Sequence, residues 1–253
     1  SMIRSENLVK SYGEKVVLDN VSLNLPKGKM IAFIGANGAG KSTLISLMSR
    51  IVPKTEGCVY IDNMELQQWN NNELAKRISI LKQSNHLNIR LTVKELISFG
   101  RFPYSKGRLT KKDNEIINQA ISFLGLENIQ HRYIDELSGG QRQMAYIAMI
   151  IAQDTEYVFL DEPLNNLDMR HSVQIMKGLR KLVDEMNKTI MVVIHDINFI
   201  AYYSDYIIAM KDGKVVSQGY TNEIITKDVL KEIYGMDIDV QSVNGKPICL
   251  YYN

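Results

Sequence analysis

Gly35-Ala36-Asn37-Gly38-Ala39-Gly40-Lys41-Ser42-Thr43 is the stretch on which the reading of this chain turns. It fits the pattern G-x-x-x-x-G-K-[ST] of a phosphate-binding loop. The apolar segment Met30-Ile31-Ala32-Phe33-Ile34 precedes it and has the length and composition of a buried parallel strand. Beyond it Leu44, Leu47 and Met48 recur at helical spacing, so the loop ends at a helix N-terminus. The chemistry follows from that junction. Glycines let the backbone curl round an anion with its N–H groups turned inward. The helix dipole adds roughly half a positive charge at the same place. Lys41 is placed to reach terminal phosphates, and the Ser42 hydroxyl to ligate Mg²⁺. The plain alternative is chance, which would produce the four fixed positions in about one chain of this length in a hundred. Requiring the strand and the helix as well makes coincidence rarer still.

With 253 residues, 45% of them hydrophobic, the chain can bury one large α/β core, with room for an inserted subdomain. A formal net charge of +2 gives no electrostatic footprint for nucleic acid, and no nucleic-acid partner is expected. The longest uncharged apolar runs, such as Ile190 to Ile194, fall far short of the ~20 residues that span a bilayer. No secretory hydrophobic region opens the sequence, so a cytosolic location is expected. Cys58 and Cys249 belong to no C-x-x-C pair and read as reduced, buried thiols. His86, His131, His171 and His195 show no metal-ligand spacing.

Taken in order, residues 3 to 25 alternate as antiparallel strands over Ile3 to Lys10, Lys15 to Leu18 and Val21 to Leu25. Tyr12 falls in the turn Ser11-Tyr12-Gly13, where it is either a base-stacking aromatic or a half-buried turn residue. Strands follow at 57–62 and 78–81. From about 86 to 152 the strand signal disappears, and helical periodicity runs over Thr92 to Phe99, Asp113 to Leu124 and Gly140 to Ala152. Strand–helix alternation then resumes from Tyr157 to Met210, and a hairpin turn at Lys211-Asp212-Gly213-Lys214 leads to Gln218. Residues 221–253 read as two short helices and a terminal strand pair. The expected organisation is a single domain over 2–253. Within it, 2–30 with 57–62 form an antiparallel β subdomain, and 30–85 with 153–220 a nucleotide-binding core. A helical subdomain over 86–152 and a C-terminal extension over 221–253 complete it.

Two further stretches carry chemistry. Val158-Phe159-Leu160-Asp161-Glu162 is an apolar strand ending in two acids, where a parallel strand beside a phosphate loop holds Mg²⁺. Asp161 suits the metal through water. Glu162 suits the base that orients and deprotonates an attacking water, or else is a surface acid. Leu137-Ser138-Gly139-Gly140-Gln141 opens a second helix N-terminus suited to an anion, or forms an ordinary N-cap with a flexible turn. Two such helix ends a hundred residues apart are hard to place on one phosphate within a monomer. Two chains packed head to tail resolve this, each loop's nucleotide being closed by the other chain's Ser138.

In these motifs and their order the sequence resembles the ATP-binding cassette (ABC) ATPases over its whole length. Gly35 to Thr43 looks like their Walker A loop, Tyr157 to Asp161 like their Walker B strand, and Leu137 to Gln141 like their signature sequence. The resemblance implies a P-loop NTPase fold of α/β class with a parallel core sheet, an antiparallel β subdomain and an inserted helical subdomain. It implies ATP and Mg²⁺ as cofactors. The nucleotide contacts it implies are Tyr12, Gly35, Asn37, Gly38, Gly40, Lys41, Ser42 and Thr43. Ser138, Gly139, Gly140 and Gln141 would meet the partner's ATP. Glu162, His195 (the switch histidine) and Gln83 (the Q-loop) would be catalytic, and Ser42, Gln83 and Asp161 would hold Mg²⁺. Asp168, in Asn165-Asn166-Leu167-Asp168, matches the D-loop; an N-cap for the next helix is its plain alternative, and the two are compatible. Leu164-Asn165 stands where many cassettes carry Thr-Ser, which touches no catalytic group.

Three functions compete on this reading. A P-loop kinase or GTPase is disfavoured by the signature sequence, and no Asn-Lys-x-Asp guanine reader is present. A soluble cassette ATPase acting on DNA or ribosomes would carry two cassettes, a coiled-coil insertion or a basic face. The motor subunit of a transporter remains. Leu91 to Leu96 with Gly100-Arg101-Phe102-Pro103-Tyr104 resemble the ATPases of iron–siderophore, haem and cobalamin importers, and Asp161 to Asp168 is similar to the siderophore group. The expectation is an importer ATPase for iron(III)-siderophore, with haem, cobalamin or another metal chelate as alternatives. It would dimerise on ATP, work through separate permease subunits at the cytoplasmic face of the membrane, and meet a substrate-binding protein only indirectly. Lys94 and Arg101 are expected on the surface where the permease docks.

Overall fold

The computed structural model describes residues 2–82 and 90–252. Two compact units divide the chain, residues 1–69 with 189–253 and residues 70–188. The helical block shares its unit with strands Ile78–Leu81 and Tyr157–Asp161.

In the first unit, four strands pair antiparallel in the order Lys15–Leu25, Ile3–Tyr12, Glu56–Ile61 and Met64–Glu65. The two strands expected at Lys15 to Leu18 and Val21 to Leu25 are one. Asn20 takes a left-handed φ of 53° that absorbs the irregularity without breaking the ladder. The loop strand Met30–Ile34 has every residue buried, as a run without polar alternation requires. It pairs parallel with Thr189–Val193 on one side and Tyr206–Lys211 on the other. Lys214–Tyr220 then folds back antiparallel on Tyr206–Lys211. After helices Thr221–Ile224 and Lys227–Tyr234, the chain ends in the hairpin Asp239–Val243 and Lys246–Leu250. The Asn198 side chain holds this hairpin to helix Ile197–Tyr203: its amide donates to the Cys249 carbonyl (3.2 Å), and its oxygen accepts from the Cys249 N–H (2.8 Å). Cys249 is buried, and burial pushes its thiol up to about 11. Cys58, expected to be buried, is only half-buried.

In the second unit, Ile78–Leu81 pairs parallel with Tyr157–Asp161. Helices Val93–Ser98 and Lys111–Phe123 begin with capping boxes, Thr92 with Glu95 and Thr110 with Asp113. Both pack on the long helix Gly139–Gln153. Arg101 is no surface residue. It is 4% exposed, its Nε donates to Asp113 Oδ1 (2.9 Å), and its Nη1 donates to the Ala152 carbonyl (2.9 Å). The Tyr104 ring covers its guanidinium at 4.0 Å. The fixed fork of guanidinium donors suits this enclosed three-way contact better than a solvated docking face.

That pair yields a stability prediction. Arg101→Ala would leave the Asp113 carboxylate buried without its cation, and breaking one partner of a buried pair costs about 3–5 kcal/mol. The Asp113 carboxyl is held below the usual carboxylate range first by the Thr110 N–H and then by Arg101, against the opposing effect of burial. A carboxyl whose pKa is lowered on folding contributes stability above its unfolded pKa and loses it as pH falls through its folded one. Urea unfolding should therefore show a large loss for Arg101→Ala at pH 7 that narrows as pH drops below the ordinary carboxylate range. A change under 1 kcal/mol at pH 7 would refute the buried-pair account.

Candidate functional site

The loop Gly35–Thr43 leaves the buried strand Met30–Ile34 and enters helix Lys41–Met48. Gly35 has φ 153°, and a Cβ there would stand 2.4 Å from the Met210 carbonyl oxygen, so only glycine fits this exit from the strand. The turn at Gly213 braces the loop from behind: its N–H donates to the Ala39 carbonyl (3.0 Å), and its own carbonyl accepts from the Asp19 N–H (2.9 Å). Gly40 is the helix N-cap in a left-handed conformation. No side chain caps the first turn, and that turn holds no acid. Such a helix start offers its N–H groups to an outside anion. Ala36, Asn37 and Gly38 are exposed along the loop's rim, while Lys41 is buried and its ammonium donates to the Gly35 carbonyl. Ser42 and Thr43 are half-buried. The loop is thus an open anion cradle with a cation folded into its wall.

In the same unit, Tyr12 ends its strand 54% exposed, with the Lys10 ammonium 4.9 Å from its ring centre. An exposed aromatic ring of this kind can stack on a base. His195 lies exposed just past strand Thr189–Val193, and Asp196 next to it caps helix Ile197–Tyr203 by accepting from the Asn198 and Phe199 N–H groups.

The second unit carries the acids and the signature turn. Asp161 is buried at the carboxyl end of its strand, with the Lys82 ammonium 3.4 Å away. Glu162 follows in a left-handed conformation, φ 53°. For a residue with a side chain this costs roughly 1–2 kcal/mol, a strain of the kind that collects at functional turns. The Pro163 carbonyl accepts from the Gln143 amide of helix Gly139–Gln153 (2.9 Å), which holds the turn down. Neither Gln143 nor Lys82 stands out in the sequence, since a single glutamine inside a helix and a lysine after a strand carry no spacing signal.

Ser138 and Gln141 form a reciprocal capping box: the Gln141 N–H donates to Ser138 Oγ and the Ser138 N–H to Gln141 Oε1, both at 3.2 Å. The Gln141 side chain thus has a structural task. The Ser138 hydroxyl accepts here, so its own proton stays available to a ligand. Ser138 and Gly139 are exposed and Gly140 is buried. Asp168 caps helix Met169–Met186 by accepting from the His171 N–H (2.8 Å), and that bond, with the His171 ring beside it, lowers its carboxyl below the usual range. Gln83 lies outside the described residues.

An ion bound with ATP would need oxygen ligands. Among the described residues no group of three or more His, Cys, Asp or Glu could hold a metal alone. The Ser42 hydroxyl in the first unit and the Asp161 carboxylate in the second are each a hard oxygen donor of the kind Mg²⁺ takes.

Comparison with known proteins bears on this assembly. A family model described as ABC transporter matches residues 18–165. The petrobactin import ATP-binding protein YclP of Bacillus subtilis (strain 168) is 57% identical over 252 residues, covering 100% of both chains. The iron(3+)-hydroxamate import ATP-binding protein FhuC of the same organism is 40% identical over 255 residues, 99% of this chain and 95% of that one. Among solved structures, a dimeric ATP-binding cassette in a post-hydrolysis state with ADP and Pi superposes with a TM-score of 0.77. It is 31% identical and covers 87% of this chain and 99% of that one.

Proposed function

The chain belongs to the ABC transporter ATPase family, and from that premise we propose that it is the ATP-hydrolysing motor of an iron(III)-siderophore importer. The observation that carries the cargo is the 57% identity, end to end, with a petrobactin import ATPase. It binds ATP, and its hydrolysis is coupled to transport. No helix among the described residues is long and apolar enough to cross a membrane. On this reading the chain works with permease subunits at the cytoplasmic face of the membrane, in keeping with its likeness to import ATP-binding proteins.

The roles of the residues are these. The N–H groups of the Gly35–Thr43 loop, with Asn37 and Gly38 on its exposed rim and Gly40 at the helix N-cap, bind the phosphates, and Lys41 moves from the Gly35 carbonyl to the β- and γ-phosphates. Tyr12 stacks on adenine. Ser42 and Asp161 hold Mg²⁺ together with Gln83, which also senses the helical subdomain. Glu162 takes the proton of the attacking water, and His195 contacts the γ-phosphate. Ser138, Gly139, Gly140 and Gln141 close the ATP of a second copy packed head to tail, and Asp168 stands in the D-loop beside it. No residue of this chain touches cargo, which is delivered to the permease by a substrate-binding protein.

The test is reconstitution of the chain with its permease and a substrate-binding protein. Loading that protein with ferric siderophore should raise ATPase turnover several-fold, and haem or cobalamin should not. Stimulation by haem or cobalamin alone would overturn the siderophore assignment while leaving the motor intact.

A further inference from the structure

The signature turn and the Asp168 loop meet at one side chain. A Cβ placed on Gly140 would stand 2.6 Å from Cγ, 2.7 Å from Nδ1 and 2.8 Å from Cδ2 of His171, so the imidazole lies flat against the bare Gly140 backbone. Its Nδ1 is 2.8 Å from Asp168 Oδ1, the oxygen that also accepts the His171 backbone N–H at 2.8 Å. A carboxylate lowered below its usual range can only accept, so Nδ1 carries the hydrogen and donates it. Capping alone explains the backbone bond, because any residue at position 171 supplies that N–H. It does not explain a ring that fills the space opposite a glycine and ties the same carboxylate a second time.

We infer that His171 is a positioning residue that fixes the signature turn and the Asp168 loop to each other, so that both face the partner chain as one rigid surface. Ser138 and Asp168 belong to different loops, thirty positions apart, each exposed and each capping its own helix; the His171 side chain ties one cap to the backbone beside the other. With it, an error in one loop is shared by the other, and only the joint arrangement fits the partner. Gly140 is then a glycine for a reason separate from phosphate approach: a side chain there would expel the ring. This inference rests on the shared-site reading given above.

The experiment uses the full chain with Glu162→Gln, which hydrolyses poorly and should hold the ATP-bound dimer. In that background His171→Ala should raise the ATP concentration needed for half-dimerisation about tenfold, the scale of coupling seen between contacting residues. His171→Asn, which keeps an N–H donor near Asp168, should recover part of the loss. Gly140→Ala should impair dimerisation severely beside His171 and much less beside Ala at 171, since the smaller side chain leaves room for the new methyl. Each chain's ATP affinity as a monomer is read in parallel. If His171→Ala dimerises like its parent, or Gly140→Ala does equal harm in both backgrounds, the inference is wrong. Loss of monomer ATP affinity together with dimerisation would assign His171 to the fold and also overturn it. Should Glu162→Gln itself stay monomeric under ATP, the shared-site reading falls and the inference with it, a result distinct from failure at His171 alone.

Discussion

Lys41→Ala is expected to abolish ATP turnover and to weaken ATP binding at least about tenfold. The residue is 8% exposed, and its ammonium is held against the Gly35 carbonyl at the entrance to the loop. A charge in so enclosed a place keeps a partner, and the phosphates of ATP are a better one than a neutral carbonyl. Charge-assisted hydrogen bonds are worth about 1.5–3 kcal/mol, and each 1.4 kcal/mol is about tenfold in affinity. Turnover should fall further than binding, because the β–γ bridge gains negative charge as the bond breaks and Lys41 stabilises that charge. Lys41→Met separates charge from bulk: it keeps most of the buried stem, so a chain that melts normally yet binds ATP weakly isolates the ammonium. Calorimetric titration showing unchanged ATP affinity in a folded Lys41→Met chain would remove the loop from the nucleotide site.

Why the loop was readable and other parts were not comes down to how local the physics is. Gly35 and Gly40 are hemmed in by Met210 and Leu18, far off in sequence, but the phosphate-binding task of the loop from Gly35 to Lys41 is carried by one continuous stretch, so its spacing alone reveals it. The run Met30–Ile34 is buried on all sides, and unbroken hydrophobicity announces that directly. The break expected between Leu18 and Val21 is different: Asp19 and Asn20 resemble a turn, yet Leu18 and Val21 on either side of them both pair with the first strand, so one strand runs through the irregularity. Arg101 misled for a related reason. In sequence it stands beside Phe102-Pro103-Tyr104, an exposed-looking turn, while its partner Asp113 lies twelve residues on and Ala152 fifty-one. Ser138 and Asp168 were read with two meanings each. The capping meaning is visible in the hydrogen bonds of one chain, whereas the ligand meaning belongs to a complex of two. His171 left no signal, because its value depends on a missing Cβ thirty-one positions away.

The dimer supplies the second large effect. Glu162→Gln should cut hydrolysis by about 10²–10⁴-fold, the usual worth of a positioned general base, and should turn a transient ATP complex into a stable pair of chains. Glutamine keeps the shape of the side chain at a position already strained to φ 53°, so the turn that Gln143 holds through Pro163 should survive. It loses the ability to take a proton, and ATP persists. Without nucleotide the chain should be monomeric, because the Ser138 hydroxyl and the N–H groups behind it have no γ-phosphate to meet and a helix N-terminus facing another protein unpaired is unfavourable. With ATP and Mg²⁺, light scattering should report twice the monomer mass and two nucleotides per dimer. ADP should not support that species, since it lacks the group that Ser138 would hold. Only monomer at saturating ATP, or a dimer formed equally well with ADP, would contradict a site shared between two chains. The ADP arm is the sharper of the two, because a dimer held by any other surface would be indifferent to the missing phosphate.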